Sequence, residues 1–314
     1  MDRNADLAAG LLEALGKPLS RNVSLKGLSS FRIGGPADLF FEATTSGELT
    51  AAVGFARRTS VPCYVIGGGT NILFADEGYR GLIVRNRAQD LRSGPGPGEV
   101  EVLSGTPLSR LLQHAVDGTL EGFDFLAGIP GTVGGALYGN AGAFGRAMGD
   151  VFVRAVFLGE DGNEHPAAQG DMAFGYRHSA LKKKPAVILS AVLRGVPGDP
   201  ERIRKAVRDN LECRREKQPA WGTPCAGSYF KNPVLAGGKK VPAGRLLEEA
   251  GAKELRVGDA AVFSGHANFL INLGKATAAD VLALAAELKK RVKENSGIVL
   301  EEEVIYLPGS VSTS

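Results

Sequence analysis

Helical and strand periodicities alternate along this chain. Leu7, Leu11, Leu12 and Leu15 fall on one helical face, so a short amphipathic helix opens it. The run 37–43 reads as a strand, Ser46 as the N-cap of a helix to about Arg58, and 62–66 as a buried strand. Further strands are predicted at 81–85 and 99–103, around a Gly-Pro-rich turn at 93–98. Thr106-Pro107 couples a cap to a proline at the first helical position, which opens a helix to about Val116. Strands at 150–158 and 185–194 lead to Asp199-Pro200, the start of a long charged helix ending near Lys217.

Beyond Lys217 the composition changes. Pro219, Gly222, Pro224 and Gly227 make a stiff loop, and a second α/β region follows. Its helices are predicted at about 243–250 and 278–294, and its strands near 268–272 and 298–307. No internal repeat is visible. The organisation expected is an N-terminal helical segment over 1–26, a main domain over 27–197 and a smaller α/β domain over 198–314.

A chain of 314 residues with 44% hydrophobic side chains suits about two domains and buries a full core. The balance of 37 basic against 34 acidic side chains is too even to argue for nucleic acid, although it suits an anionic small substrate. The N-terminus lacks an apolar signal core and no long uncharged apolar stretch follows, so the expected compartment is the cytoplasm, without membrane insertion. Cys63, Cys213 and Cys225 have neither disulfide nor zinc spacing, and the four histidines are scattered, so no metal site is expected. The oligomeric state stays open, a monomer included. Glycine changes the picture. The chain has 43, roughly twice the ordinary share, so many backbone positions need positive φ or close approach to a ligand.

Gly67-Gly68-Gly69-Thr70-Asn71 directly follows an apolar strand. Such a loop is either a tight turn or a nest of N–H groups for a pyrophosphate, and it has neither G-x-G-x-x-G spacing nor a following G-K-[ST]. A second segment, residues 128–145, carries Gly131, Thr132, Gly134, Gly135, Asn140 and Gly142. Two such loops suggest one long phosphate-bearing ligand held from both sides. Earlier, Arg32 stands beside a third glycine pair, Gly34-Gly35.

These segments continue through Tyr176-Arg177-His178-Ser179, the basic run 214–219, Gly227-Ser228-Tyr229-Phe230-Lys231-Asn232-Pro233, the run 266–272 and the run 300–304. In that order they resemble the UDP-N-acetylenolpyruvoylglucosamine reductase family, over most of the chain from about Leu28. The resemblance implies an α+β protein with an FAD-binding domain of the vanillyl-alcohol-oxidase (PCMH) type in two subregions. A smaller α/β substrate-binding domain follows, its C-terminal strand returning to the active site. FAD is then the cofactor, with Arg32, Gly34, Gly67, Gly68, Gly69, Thr70, Asn71, Gly131, Thr132, Gly134, Gly135, Asn140 and Gly142 as its site, and NADPH is the hydride donor.

In that family catalysis falls to the arginine of Y-R-x-S, the serine of G-S-x-F-K-N-P and a glutamate of L-E-P-E-V. Here they match Arg177, Ser228 and Glu303. Glu302 stands where the proline is usual, giving three consecutive glutamates. Glu303 is preferred because it directly precedes the valine, and in an alternating strand Glu301 would share its face. Lys217 and Asn232 match positions that contact the UDP diphosphate. After Tyr176 the next tyrosine is Tyr229, which implies the shorter subtype without a tyrosine lid.

The implied reaction reduces the enolpyruvyl group of a UDP-sugar in peptidoglycan precursor synthesis. Hydride addition leaves charge on the substrate carboxylate, to which Arg177 offers a bidentate fork and a protonated Glu303 a donor. Ser228 would protonate the adjacent carbon. Without the resemblance, the same three residues read as a surface ion pair, a turn residue and a solvated strand face. The rivals are an oxidase of the same fold and a UDP-sugar-binding regulator without catalysis, the latter colourless when pure.

Overall fold

The computed structural model describes residues 3–183, 186–235 and 237–309. The chain forms an α+β structure that divides into two compact units. Met1–Arg21, Leu39–Gly68 and Leu82–Arg214 make the first; Asn22–Asp38, Gly69–Gly81 and Arg215–Ser314 make the second. This interlacing differs from the single cut at 197/198 that the sequence pattern suggests. The first unit keeps most of the helix Pro200–Lys217, and the second draws in two early segments.

The first unit holds two cores. In one, the strand Cys63–Ile66 pairs in parallel with residues 82–85 of the strand Tyr79–Asn86. Along Pro36–Ala43 every second residue is buried, the period that a one-sided strand requires. Leu39 and Phe41 meet Leu49 and Val53 of the helix Ser46–Arg58 and Leu11 of the helix Arg3–Leu15 in one apolar cluster. The second core lies on a five-stranded antiparallel sheet ordered Glu164–Ala168, Phe152–Leu158, Val187–Arg194, Glu99–Leu103 and Leu91–Ser93. Val100, Leu111, Phe125, Leu137 and Leu193 fill it.

The second unit stacks the helices Ala243–Glu249 and Ala278–Ser296 on an antiparallel sheet ordered Cys225–Ser228, Phe269–Asn272, Ala260–Val262 and Arg256–Val257. The long helix is well specified locally. Thr277 Oγ1 accepts the Asp280 N–H, Asp280 returns the bond to the Thr277 N–H, and Gly297 closes the C-terminus at φ 71. Val281, Leu284, Ala285, Leu288 and Val292 form its buried stripe. Phe31, Ile33 and Leu73, from the two early segments, enter the same core, which is why those segments belong to this unit.

Several expected details shift. Thr45 rather than Ser46 caps its helix, because the Thr45 hydroxyl accepts the Glu48 N–H. Thr106 is no cap: its hydroxyl donates to Asp90 O, and the helix begins at Leu108 after Pro107. The C-terminal strand is only Ile305–Leu307, parallel to Ile72–Phe74. Pro185, where a strand was expected to start, lies outside the described residues. Among the described residues no helix is long and apolar enough to cross a membrane.

Candidate active site

Ser228 ends the strand Cys225–Ser228, in a stretch the sequence pattern makes a loop. Cys225 pairs with Ile271 and Ser228 with Phe269, so one extra residue sits on the Ser228 strand. That residue set includes Gly227 at φ 74, where a Cβ would meet nothing within 4 Å. Glycine is needed there for its left-handed backbone, and a bulge of this kind re-aims the next side chain. The segment is pinned by Asn268, whose Oδ1 accepts the Phe230 N–H at 2.9 Å and whose Nδ2 donates to Phe230 O at 2.8 Å. Burial pushes the Cys225 thiol up, with Gly227 N–H opposing, so this cysteine stays a thiol.

Ser228 lines a cavity of about 280 Å³ with Asn232, Pro242, Gly244, Arg245, Glu248, His266 and Asn268. Asn232 is oriented by the Ala243 N–H, which donates to its Oδ1 at 2.8 Å. Lys217 is not part of this lining, although its charge reaches His266. Gly244, Glu248 and His266 were missed by sequence reasoning. Only the run beginning at His266 carried a signal, as a motif without a role.

The three glutamates separate. Glu301 is exposed and its carboxylate sits 3.0 Å from Lys231 Nζ; Glu302 is exposed and pairs with Lys289 at 2.8 Å. Glu303 is half-buried, its N–H donating to Tyr229 O at 2.7 Å and its carbonyl accepting from Asn71 Nδ2 at 3.1 Å. Asn71 is thereby tied to the C-terminal segment, and Tyr229 is a core residue, 2% exposed.

In the first unit, Tyr176 and Arg177 form the tip of a tight turn closed by two bonds between Gly175 and His178. Arg177 sits at φ 53, a left-handed conformation that costs a non-glycine residue roughly 1–2 kcal/mol. Strain of this kind is tolerated where a side chain must be aimed. Lys182 Nζ holds the Arg177 carbonyl at 2.8 Å, and the guanidinium carbon lies 5.5 Å from the Tyr176 ring centroid. Arg214, in the same unit, carried a sequence signal only as the start of the basic run 214–219, without a role. Burial pushes its guanidinium down, Cys213 opposes this and the Arg177 charge adds to it; its Cζ lies 5.4 Å from the Phe144 ring centroid.

The glycine segments divide by physical cause. A Cβ on Gly67 would come 2.3 Å from Thr132 Oγ1, and one on Gly69 would come 1.8 Å from Leu28 O. Gly34 packs against Phe74, Gly134 against Ser104 and Gly142 against Arg146 O, with Cβ contacts of 2.7, 2.9 and 2.3 Å. Gly131 is at φ 122 and Arg32 at φ 57, the Arg32 guanidinium donating to Gly222 O at 3.3 Å. Asn140 is occupied by the fold, Nδ2 donating to Gly175 O and Oδ1 accepting the Gly149 N–H. Gly68 and Gly135 are exposed. Gly135 follows Thr132, the cap of the helix Val133–Gly139, and a Cβ there would make only an ordinary contact at 3.6 Å. Neither packing nor φ explains Gly135.

Residues 37–165 match the model of an FAD-binding domain family, and residues 218–307 match that of the UDP-N-acetylenolpyruvoylglucosamine reductase C-terminal domain. The chain is 41% identical to the UDP-N-acetylenolpyruvoylglucosamine reductase of Moorella thermoacetica, covering 92% of this chain and 91% of that protein. With the same-named protein of Desulforamulus reducens the identity is 38%, over 95% and 97% of the two chains. The crystal structure of the Thermus caldophilus reductase of that name superposes with a TM-score of 0.77 at 34% identity, covering 92% of this chain and 99% of that one.

Proposed function

The chain belongs to the UDP-N-acetylenolpyruvoylglucosamine reductase family, and we propose that it reduces UDP-N-acetylenolpyruvoylglucosamine to UDP-N-acetylmuramate with NADPH as donor. It is an FAD-dependent oxidoreductase. The observation that carries the finer reading is Ser228, re-aimed by the Gly227 bulge and lining a cavity with Asn232.

The residues present fit the cofactor. Gly67 brings bare backbone against Thr132, and Gly135 is a glycine that the fold does not itself require. Gly135, in the helix Val133–Gly139, costs about 1 kcal/mol of helix propensity relative to alanine, a cost that close ligand approach accounts for. Bound FAD supplies two-electron hydride chemistry, between NADPH and the enolpyruvyl double bond.

This chain's own groups do the rest. Ser228 Oγ–H gives its proton to the carbon adjacent to the one that takes the hydride. Arg177 offers its guanidinium to the substrate carboxylate, where charge builds up. Glu303 is the carboxyl assigned to that charge, supported by the Glu301 and Glu302 ion pairs that hold those two side chains at the surface. Asn232, whose side-chain carbonyl accepts the Ala243 N–H, is the residue assigned to a phosphate oxygen of the diphosphate. Lys217 supplies a charge to the same diphosphate. No tyrosine lies between Tyr176 and the buried Tyr229, which favours the subtype without a tyrosine lid.

Ser228→Ala tests the reading by separating the half-reactions. Flavin reduction by NADPH stays near the wild-type rate, while reoxidation by the UDP substrate falls by roughly 10²–10⁴-fold, the contribution of a positioned general acid. Stopped-flow flavin absorbance resolves both phases. Unchanged reoxidation would remove Ser228 from the mechanism.

A further inference from the structure

Glu303, the carboxyl assigned to the developing charge, stands just before the parallel ladder of the second unit. That ladder pairs Ile305 with Ile72, Tyr306 with Leu73 and Leu307 with Phe74. At its start the Asn71 backbone carbonyl accepts the Ile305 N–H at 3.0 Å. Glu303 lies outside the strand Ile305–Leu307, yet its carbonyl is held too, because Asn71 Nδ2 donates to it at 3.1 Å. The Asn71 side chain supplies the donor that a strand backbone would supply, and so extends the attachment back from Ile305 to Glu303.

The other side of Glu303 is fixed by the serine segment. The Glu303 N–H donates to Tyr229 O at 2.7 Å, next to Ser228, and the Lys231 N–H donates to Glu301 O at 2.9 Å. Phe230 and Glu302 bridge the same two segments. Both backbone polar groups of Glu303 are therefore anchored, one beside Ser228 and one at the end of the glycine loop 67–71. Two anchors of different origin set the direction in which the side chain leaves the backbone. Without the Asn71 bond one of them is gone and the carboxyl samples several directions. A misplacement of about 1 Å costs on the order of a hundredfold in rate.

We propose that Asn71 is a positioning residue for Glu303, its amide holding the Glu303 carbonyl so that the carboxyl meets the substrate, rather than a ligand of the flavin. The last residue of the glycine loop then belongs to the second half-reaction and not to cofactor retention. This rests on the role given to Glu303 in the proposed function.

The test compares two variants, each purified as the FAD holoenzyme. Asn71→Leu keeps the volume and removes the donor. Asn71→Asp keeps the shape and sets an acceptor against the Glu303 carbonyl, and it carries the test if the leucine variant does not fold. In both, the flavin-to-protein ratio and flavin reduction by NADPH stay at the wild-type level. Reoxidation by saturating UDP substrate slows by about ten- to a hundredfold. In a Glu303→Ala background the same substitutions cost nothing further, because Asn71 acts on the reaction only through that carboxyl. Flavin loss from a folded variant overturns the inference and makes the amide a cofactor ligand. Losses that multiply in the double variant overturn it as well, since they mark a general structural defect. Wild-type reoxidation in Glu303→Ala sinks the role given to Glu303 and this inference with it. Slow reoxidation in Glu303→Ala beside wild-type reoxidation in the Asn71 variants sinks this inference alone.

Discussion

Gly227→Ala isolates a backbone conformation from every contact. A Cβ at that position would meet nothing within 4 Å, so alanine fits the space and fails only at φ 74. The left-handed conformation costs an L-residue roughly 1–2 kcal/mol. Restricting the unfolded chain returns about 0.4–1 kcal/mol, so the net loss is about 1 kcal/mol. That corresponds to a melting midpoint lowered by roughly 1–2 °C. The functional loss is larger than the stability loss. If alanine relaxes toward ordinary strand geometry, the bulge between Cys225 and Ser228 is lost. A one-residue slip then turns the serine to the opposite face of the strand. Flavin reoxidation by the UDP substrate therefore falls toward the Ser228→Ala level while reduction by NADPH is retained. Asparagine tolerates the left-handed region, so Gly227→Asn stays near the wild type in both respects. Scanning calorimetry of the holoenzyme and stopped-flow absorbance read the two effects. An alanine variant with wild-type melting and wild-type reoxidation would refute the argument, and so would an asparagine variant as damaged as alanine.

Arg177→Gly releases about 1–2 kcal/mol of backbone strain and adds about 0.5–1 kcal/mol of unfolded-state freedom. Its melting midpoint should stay level or rise while reoxidation by the UDP substrate drops at least about a hundredfold; a clear fall in melting would mean the arginine is structural. Gly67→Ala should release flavin because its Cβ meets Thr132 Oγ1 at 2.3 Å, and less so beside Thr132→Ala; flavin retention in a double-mutant cycle reads the coupling, and additive losses would contradict it. His266 has a folded pKa lowered by burial from 6.5, so the unfolded chain binds more protons just below that pH. Stability should therefore fall as pH drops from 6.5 toward the lowered folded value. That slope should be absent from His266→Gln, and an identical pH–stability curve in the variant would count against it.

Local physics made part of this fold legible. The strand Glu99–Leu103 carries its own alternating pattern and the helix Pro200–Lys217 its own Asp199-Pro200 start, and both lie where the sequence puts them. The strand Cys225–Ser228 has no such signal, since Cys-Ala-Gly-Ser has weak strand propensity. It is held from outside, by the pairing with Phe269 and Ile271 and by the Asn268 side chain. The same holds for the interlaced units. Phe31, Ile33 and Leu73 share a core with Leu246 and Leu284, and no local period records that burial. His266 was legible as a residue but not as a site, because its cavity partners Gly244 and Glu248 come from a different element.

Glycine content shows how sequence and structure divide the inference. The sequence registers an excess that calls for either unusual backbone or close approach, without saying which applies where. At Gly69 the cause is a carbonyl, Leu28 O, that a Cβ would overlap at 1.8 Å; at Gly227 it is φ 74 with open space around it. Substitution at either position acts on the fold first. Gly135 has neither cause, since its Cβ would make only an ordinary contact and its φ is not left-handed. A glycine that the protein does not require of itself is the position where ligand approach can be tested apart from folding. Alanine there removes a helix penalty of about 1 kcal/mol, so the apoprotein gains stability while flavin affinity falls.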